Sequence, residues 1–172
     1  MTRTSTALAA ALALAAAVSA ALAQAPQRTT ATYGDWTMRC ELRDGPPPSK
    51  QCEMVQTATA QGQANPISQV AIGRATKTEP FKIVIQLPLN VWIPSGVHYV
   101  IDPKGPGVTA PFKRCVPVGC FADFNMTDDL MKQMKAQTGQ GRYEFKDAAE
   151  RVVTIPISFK GFGIAYDALL KE

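Results

Sequence analysis

The residues of this sequence whose spacing most directly predicts chemistry are its four cysteines, Cys40, Cys52, Cys115 and Cys120. A turn signal rich in proline and glycine separates each sequential pair, at 44–48 and at 116–119. Four cysteines allow three connectivities. We favour Cys40–Cys52 and Cys115–Cys120, because hairpin partners bring their Cα atoms within disulfide range. Zinc would require closer Cys-x-x-Cys pairs or histidine ligands, and a thioredoxin-like site would require Cys-x-x-Cys. The sequence therefore predicts two structural disulfides.

The single histidine, His98, alternates with Val97 and Tyr99. This pattern predicts a solvent-facing position on a strand. The Gly-x-Ser-x-Gly motif of a nucleophile elbow does not occur in the chain, and one histidine among scattered carboxylates has no metal-site spacing. We therefore expect no catalytic role for His98.

Other polar motifs have structural interpretations. Asp128 and Asp129 are adjacent, so they favour the first turn of a helix over a paired acid and base. The glycines of 105–107 indicate a turn, since no Lys-Ser/Thr follows as in a phosphate loop. We treat the glycosylation pattern at 125–127 as a chance match.

Methionine and tryptophan could supply a copper site or a ligand platform. The methionines are Met126, Met131 and Met134, and their spacing favours packing on one helix face. Trp36 shares a strand face with Met38 and Cys40, which predicts burial. Trp92 lies in the apolar run 89–94 and is either a core residue or part of an exposed binding edge. We therefore predict no catalytic, cofactor-binding or metal-binding residues, and no enzyme.

The elements that must position these residues are mostly strands. Period-two alternation or short apolar runs between turn signals predict strands at 36–42, 51–58, 67–74, 81–87, 90–93, 97–101, 112–116, 119–124, 142–145 and 152–159. A helix is predicted from Thr127-Asp128-Asp129 to about residue 139. The spacing of apolar residues over 162–169 favours a second short helix, with a final strand as the alternative. The sequence predicts an all-β sandwich with one or two short helices.

The N-terminus predicts export. Arg3 is followed by the uncharged apolar run 7–22 and by small residues at Ala21 and Ala23, which is typical of a secretory signal peptide over 1–23. Cleavage after Ala25 is the second choice. The apolar run is short for a membrane span, and no later stretch is long enough to be one. We expect a flexible mature N-terminus over 24–32 and a single domain over 33–172. Deletion of 24–31 should change little.

Compartment and charge restrict the partners. An even number of cysteines agrees with an oxidising compartment, most simply the bacterial periplasm, with the cell surface or the exterior as alternatives. The segment after residue 23 carries 17 Lys and Arg residues against 14 Asp and Glu residues, a formal charge of +3. This mild excess does not argue for nucleic acid.

Several motifs together resemble those of the invasion-associated locus B family of bacterial envelope proteins. They are Gly34-Asp35-Trp36, Arg39-Cys40, Gln51-Cys52, Leu87-Pro88, Gly96-Val97, Cys115, Gly119-Cys120, Ser158-Phe159-Lys160-Gly161-Phe162 and Ala165. The resemblance covers about residues 33–170. It implies an immunoglobulin-like β-sandwich in the periplasm or at the outer surface, named for a role in host-cell invasion. It supplies no catalytic residues.

We therefore expect a non-enzymatic envelope protein that binds an unknown envelope or host macromolecule. The alternatives are a small periplasmic hydrolase or carbohydrate-acting enzyme, and a periplasmic folding factor. We also expect the Trp36–Cys40–Cys52 corner to meet the segment 159–162 in the core, with Gly161 at a turn of positive φ.

Overall fold

The computed structural model describes residues 27–172, so the predicted signal peptide lies outside the described residues. The strands are β1 (Arg28–Tyr33), β2 (Trp36–Arg43), β3 (Ser49–Thr59), β4 (Pro66–Gly73), β5 (Lys82–Leu87), β6 (Val97–Val100), β7 (Val108–Ala110), β8 (Phe112–Val116), β9 (Gly119–Asn125), β10 (Gln140–Lys146) and β11 (Val152–Ser158). The helices are α1 (Asp128–Ala136) and α2 (Phe162–Leu170), with a 3₁₀ turn at Ile93–Ser95. Neither α-helix is long and apolar enough to cross a membrane, and the same holds for every helix in 27–172.

Two antiparallel sheets face each other across one core. The larger sheet has the order β1-β2-β3-β4-β5-β9-β8, and the smaller has the order β11-β10-β6-β7. The first five strands are neighbours in sequence and form a meander. Gln56 on β3 links the sheets, because its side chain accepts from the Ser158 backbone N (2.8 Å) and donates to the Ser158 carbonyl (3.1 Å). The architecture confirms the predicted all-β sandwich with two short helices.

The core confirms the predicted contact between the early and late parts of the chain. The Trp36 and Phe162 rings meet edge to face with centroids 5.4 Å apart, and Trp36 Nε1 donates to the Ser158 carbonyl at 2.9 Å. Gly161 has the expected positive φ, +82°. A Cβ there would lie 2.1 Å from the Tyr33 carbonyl oxygen. Only glycine therefore allows this turn to close against the turn between β1 and β2.

The helix α2 packs against β1, β2 and β3, and α1 packs against α2. Thr127 caps α1, since its Oγ1 accepts from the Leu130 backbone N at 3.2 Å. Met134 of α1 is buried, as are Phe162, Ala165, Tyr166 and Leu169 of α2. The ambiguous C-terminal segment is thus helical, because these four residues repeat at helical spacing and form one buried face.

The prediction of a flexible N-terminus over 24–32 is wrong for residues 28–32, which form most of β1 and pair with residues 37–41 of β2. The structure also contradicts the basis for expecting little effect from deletion of 24–31. β1 is an edge strand with mostly exposed residues, so it lacks the apolar alternation that marks other strands. Its threonines favour extended backbone, and Arg28 pairs with Glu41 at 2.7 Å.

The predicted strand at 90–93 is also wrong. Val91 makes only an isolated bridge to Asp147, and the chain then enters the 3₁₀ turn at Ile93–Ser95. Pro94 explains this change, because proline fixes φ and cannot donate to a strand ladder. The sequence also missed β7, a three-residue strand with one buried side chain, Ala110.

Candidate functional site: the apolar end of the sandwich

The cysteines lie in the two pairs that their turn signals favoured. Cys40 is directly opposite Cys52 on β2 and β3, and Cys115 is opposite Cys120 on β8 and β9. Both pairs are at disulfide-bonding distance. One group of potential metal ligands occurs within 27–172, formed by Cys40, Cys52 and Glu172. Because the two sulfurs are bonded to each other, only the carboxylate is left, and it pairs with Lys50.

His98 lies on β6 between Glu144 of β10 and Thr109 of β7. Its Nδ1 is 3.3 Å from Thr109 Oγ1. The Glu144 carboxylate accepts from Arg142 Nε at 2.6 Å, so it is engaged elsewhere and does not orient the imidazole. The expected position on the polar face of the strand is correct, since Val97 and Tyr99 are buried.

The remaining sequence candidates do not converge on a site. Asp128 and Asp129 are exposed in the first turn of α1, as the helix interpretation predicts. Met126 and Met134 belong to the core, and Met131 packs against it.

The two tryptophans have opposite environments. Trp36 is completely buried, as expected, whereas the side chain of Trp92 is 38% exposed. Trp92 precedes the 3₁₀ turn, and its backbone N donates to the Lys146 carbonyl at 2.8 Å. Of the two interpretations that the sequence left open for Trp92, the exposed one is correct.

Trp92 belongs to a cluster of exposed apolar residues that we call the apolar end, formed by Leu89, Trp92, Ile93, Val116, Val118 and Val152. These are six of the nine large hydrophobic residues that are exposed among residues 27–172. Val118 and Leu89 are the most exposed in the loops, at 70% and 57%. Contiguous exposed apolar surface on a water-facing protein commonly marks an interaction site.

Hydrogen bonds and strand pairing bring these separate turns together. Gln86 Nε2 donates to the Val118 carbonyl at 2.8 Å, which fixes the β8–β9 turn beside the end of β5. Val118, Pro88 and Pro66 line one open cleft of about 440 Å³. On the other side, Lys146 pairs with Val152 across β10 and β11 and also accepts from the Trp92 backbone. The apolar end therefore spans both sheets.

Asp147 holds the β10–β11 turn at this end. Its Oδ1 accepts from the backbone N of Ala149 (2.9 Å) and of Arg151 (3.0 Å), and its Oδ2 accepts from Arg151 Nε at 2.8 Å. The Arg151 guanidinium and these backbone donors hold the pKa of Asp147 below its usual value. The turn is thus fixed by a carboxylate that stays ionised at neutral pH.

The opposite end carries a polar cleft of about 560 Å³. Lys50, Arg74 and Lys77 line it together with Glu172. Lys50 pairs with Glu172, and Arg74 stacks on Phe81 with its guanidinium carbon 4.6 Å from the ring centroid. These contacts account for two of the three cations, so this cleft is the weaker candidate.

A disulfide-bonded β-sandwich with exposed apolar residues gathered at one end is the class of protein that the fold and this surface define. The family model described as invasion associated locus B (IalB) protein matches residues 36–170. The chain therefore belongs to the invasion-associated locus B family, which confirms the resemblance found in the sequence.

Two curated relatives support this membership. They are the invasion protein B homologues of Brucella abortus strain 2308 and of Brucella abortus biovar 1 strain 9-941. Each is 27% identical over 141 residues, which cover 80% of this chain and 77% of the relative. The crystal structure of invasion associated protein b from Bartonella henselae has a TM-score of 0.71 at 18% identity, covering 83% of this chain and 95% of that chain. This likeness shows the shared fold.

Proposed function

We propose that this protein is an exported, non-enzymatic envelope protein that binds a partner through the apolar end. The observation that carries the proposal is the concentration of exposed large apolar side chains on turns at one end of the sandwich. Keeping such side chains in water is unfavourable by roughly 25 cal/mol per Å² of apolar surface. A partner that covers them would recover this free energy.

Export to an oxidising compartment rests on two independent features. Cys40–Cys52 and Cys115–Cys120 are at disulfide-bonding distance, and disulfides persist mainly outside the cytosol. The residues from Arg3 to Ala23 have the pattern of a signal peptide. We propose the periplasm as the compartment, with a domain that begins at β1. Mass spectrometry of the processed chain would test both features, by its N-terminal residue and by its non-reduced peptides.

A binding function is favoured over catalysis because the carboxylates near His98 and in the β10–β11 turn already have ion-pair partners. The Glu144 carboxylate beside His98 is engaged by Arg142, and the Asp147 carboxylate is engaged by Arg151 and the turn backbone. These groups have structural partners where an enzyme would aim an acid or a base at a substrate. An activity screen against ester, amide and glycoside substrates would test this. Turnover that is lost in His98→Ala, in a variant that stays folded, would contradict the proposal.

The binding surface is tested by site-specific photocrosslinking in intact cells. A photoreactive phenylalanine analogue replaces Trp92 in one variant and Ile164 in the control variant. Ile164 is 67% exposed but lies on α2, away from the apolar end. The proposal expects adducts with lipid or with another macromolecule from position 92 and few from position 164. Equal adduct yields from the two positions would contradict it.

A further inference from the structure

We infer that the apolar end docks the protein on the surface of an anionic phospholipid membrane. The inference rests on the proposed function, since it names the partner of the same surface. Three features of the described residues carry it. They are the lack of charge in three of the loops of this end, the environment of Trp92, and cations beside the apolar residues.

The loops at this end carry no charged side chain over three segments. These are 60–65 between β3 and β4, 88–96 between β5 and β6, and 117–118 between β8 and β9. Loops on a water-facing surface commonly carry charged side chains, because water solvates them there. Each charge brought into the apolar layer of a membrane would instead oppose insertion by several kcal/mol. The charged residues of this end, Asp147, Glu150 and Arg151, lie in the β10–β11 turn. The three uncharged loops are therefore the part of the apolar end that suits contact with lipid.

Trp92 has the environment that tryptophan prefers at a membrane interface. Its side chain is partly exposed, and Leu89 and Ile93 are exposed on the same loop. Ser95 Oγ donates to the Trp92 carbonyl at 3.0 Å, which rigidifies the 3₁₀ turn beneath it. Tryptophan favours the headgroup region because its ring is apolar and its indole N–H is polar. The aliphatic neighbours would reach the acyl chains just below.

Cations border the apolar residues on β8. Lys113 and Arg114 are exposed and come two or three positions before Val116. No ion pair formed within residues 27–172 uses either of them, although Arg114 stacks on Phe121 with its guanidinium carbon 5.1 Å from the ring centroid. Juxtamembrane cations gain about 1 kcal/mol each near an anionic lipid surface. This charge selects anionic over zwitterionic headgroups.

A folded protein partner is less well matched to this end. The six apolar side chains project from four separate segments around the two sheets: the β5–β6 loop, the two ends of the β8–β9 turn, and the start of β11. A protein interface depends on shape complementarity with this uneven surface. A lipid surface adapts to it, because acyl chains have no fixed shape.

The test uses the processed protein purified from the periplasmic fraction. Vesicles contain phosphatidylethanolamine with one quarter phosphatidylglycerol, and pure phosphatidylcholine vesicles are the comparison. Flotation gives the bound fraction, and tryptophan emission gives the environment of Trp92. Since Trp36 is fully buried, we expect a blue shift and quenching by brominated acyl chains that disappear in Trp92→Phe. Binding should weaken markedly when the salt concentration is raised from 0.1 to 0.5 M.

Two variants locate the contact. The double variant Leu89→Ser/Ile93→Ser should reduce the vesicle partition coefficient about tenfold or more. Each change removes a half-exposed aliphatic side chain that lipid would otherwise cover. Ile164→Ser is the matched control and should bind like the parent. Thermal unfolding checks that all variants fold.

Three results would overturn the inference. They are no flotation with anionic vesicles, equal binding by the Leu89→Ser/Ile93→Ser variant, and an equal loss in Ile164→Ser. If vesicles fail while the photoreactive group at position 92 still captures a protein, the lipid partner is wrong and the proposed binding function stands. If the protein neither binds the vesicles nor forms crosslinks from position 92, both the lipid partner and the proposed binding function are wrong.

Discussion

Replacing Tyr99 by phenylalanine should stabilise the sandwich, whereas the same change at Tyr143 should destabilise it. The two residues are cross-strand partners on β6 and β10, and both are buried. The Tyr143 hydroxyl bonds to Ser68 Oγ, which links the smaller sheet to β4. Among the buried side-chain polar atoms of residues 27–172, the Tyr99 hydroxyl stands out because it has no hydrogen-bond partner.

The magnitudes follow from these environments. A buried polar group without a partner costs about 1–3 kcal/mol of unfolding free energy. Tyr99→Phe keeps the ring, which packs 5.7 Å from the Phe124 ring, and removes that cost. Tyr143→Phe loses a hydrogen bond and leaves the Ser68 hydroxyl buried, so it should lower the unfolding free energy by about 1–3 kcal/mol. The variants should therefore differ by about 2 kcal/mol or more.

The assay is urea unfolding at pH 7 with disulfides intact, read by far-UV circular dichroism. Ser68→Ala in the Tyr143→Phe background is the control, because it removes the orphaned hydroxyl and should recover part of the loss. A Tyr99→Phe variant less stable than the parent would refute the reasoning. It would mean that the Tyr99 hydroxyl has a favourable partner.

The same tyrosines predict the response to alkali. Burial raises the pKa of Tyr99, and burial raises that of Tyr143 to about 12 despite the opposing hydrogen bond from Ser68. Both keep their protons in the folded protein above pH 10, where tyrosines of the unfolded chain release theirs. The contribution of these two tyrosines to stability should therefore be constant below about pH 10 and fall as the pH rises towards 12. Each phenylalanine variant should make that fall shallower by about one proton. An unchanged slope in both would contradict this assignment.

Of three further predictions, two concern the contact between the Gly161–Phe162 segment and the start of the domain, and the third concerns the turn at Asp147. Phe162→Ala should lower the unfolding free energy in urea by about 3–5 kcal/mol, while Ile164→Ala on the exposed side of α2 should change it little. Equal losses in the two variants would place Phe162 outside the core. Gly161→Ala should lower the unfolding free energy by more than about 2 kcal/mol, because the alanine would keep a positive φ and its Cβ would lie 2.1 Å from the Tyr33 carbonyl oxygen. Gly139→Ala is the control, since its Cβ would meet no atom within 4 Å. Asp147→Asn should be less stable than the parent at pH 6. The difference should shrink as the pH falls below about 4, because the pKa of Asp147 is lowered in the folded state and the carboxylate is lost there. A constant difference in unfolding free energy from pH 6 to 3 would refute this linkage.

The fold was largely predictable because most strands have one buried face. The alternation of Trp36, Met38 and Cys40 on β2, and of Ile83, Ile85 and Leu87 on β5, directly records burial against the facing sheet. The cysteine pairs were predictable because each spans a short hairpin.

What the sequence did not reveal lacks such a local signal. β1 is held by its main-chain pairing to β2, and both its faces are largely exposed, so its side chains carry little record of the pairing. β7 is too short for a periodic pattern. In both cases a neighbouring strand decides the structure, which single-sequence periodicity does not report.

The apolar end escaped sequence analysis for a related reason. Its six side chains are contributed by separate turns, and each turn alone carries a short apolar run that is equally compatible with core. Trp92 illustrates this, since its run 89–94 predicted either burial or exposure. The exposed residues reach one end only when both sheets have folded. The Trp92 backbone then hydrogen-bonds to Lys146, and Gln86 hydrogen-bonds to the Val118 carbonyl.

The distribution of stabilising contacts explains how an exposed apolar end can persist. Trp36, Phe162 and the Gly161 turn close the core against α2, while the exposed side chains of Leu89 and Ile93 contribute little to that core. Substitutions at the apolar end should therefore alter binding with small effects on unfolding, and substitutions in the Trp36–Phe162 corner should do the reverse. Measuring both quantities for Leu89→Ser/Ile93→Ser and for Phe162→Ala tests that separation. If the loop variant unfolds as readily as Phe162→Ala, the exposed residues are part of the structural core and not a binding surface.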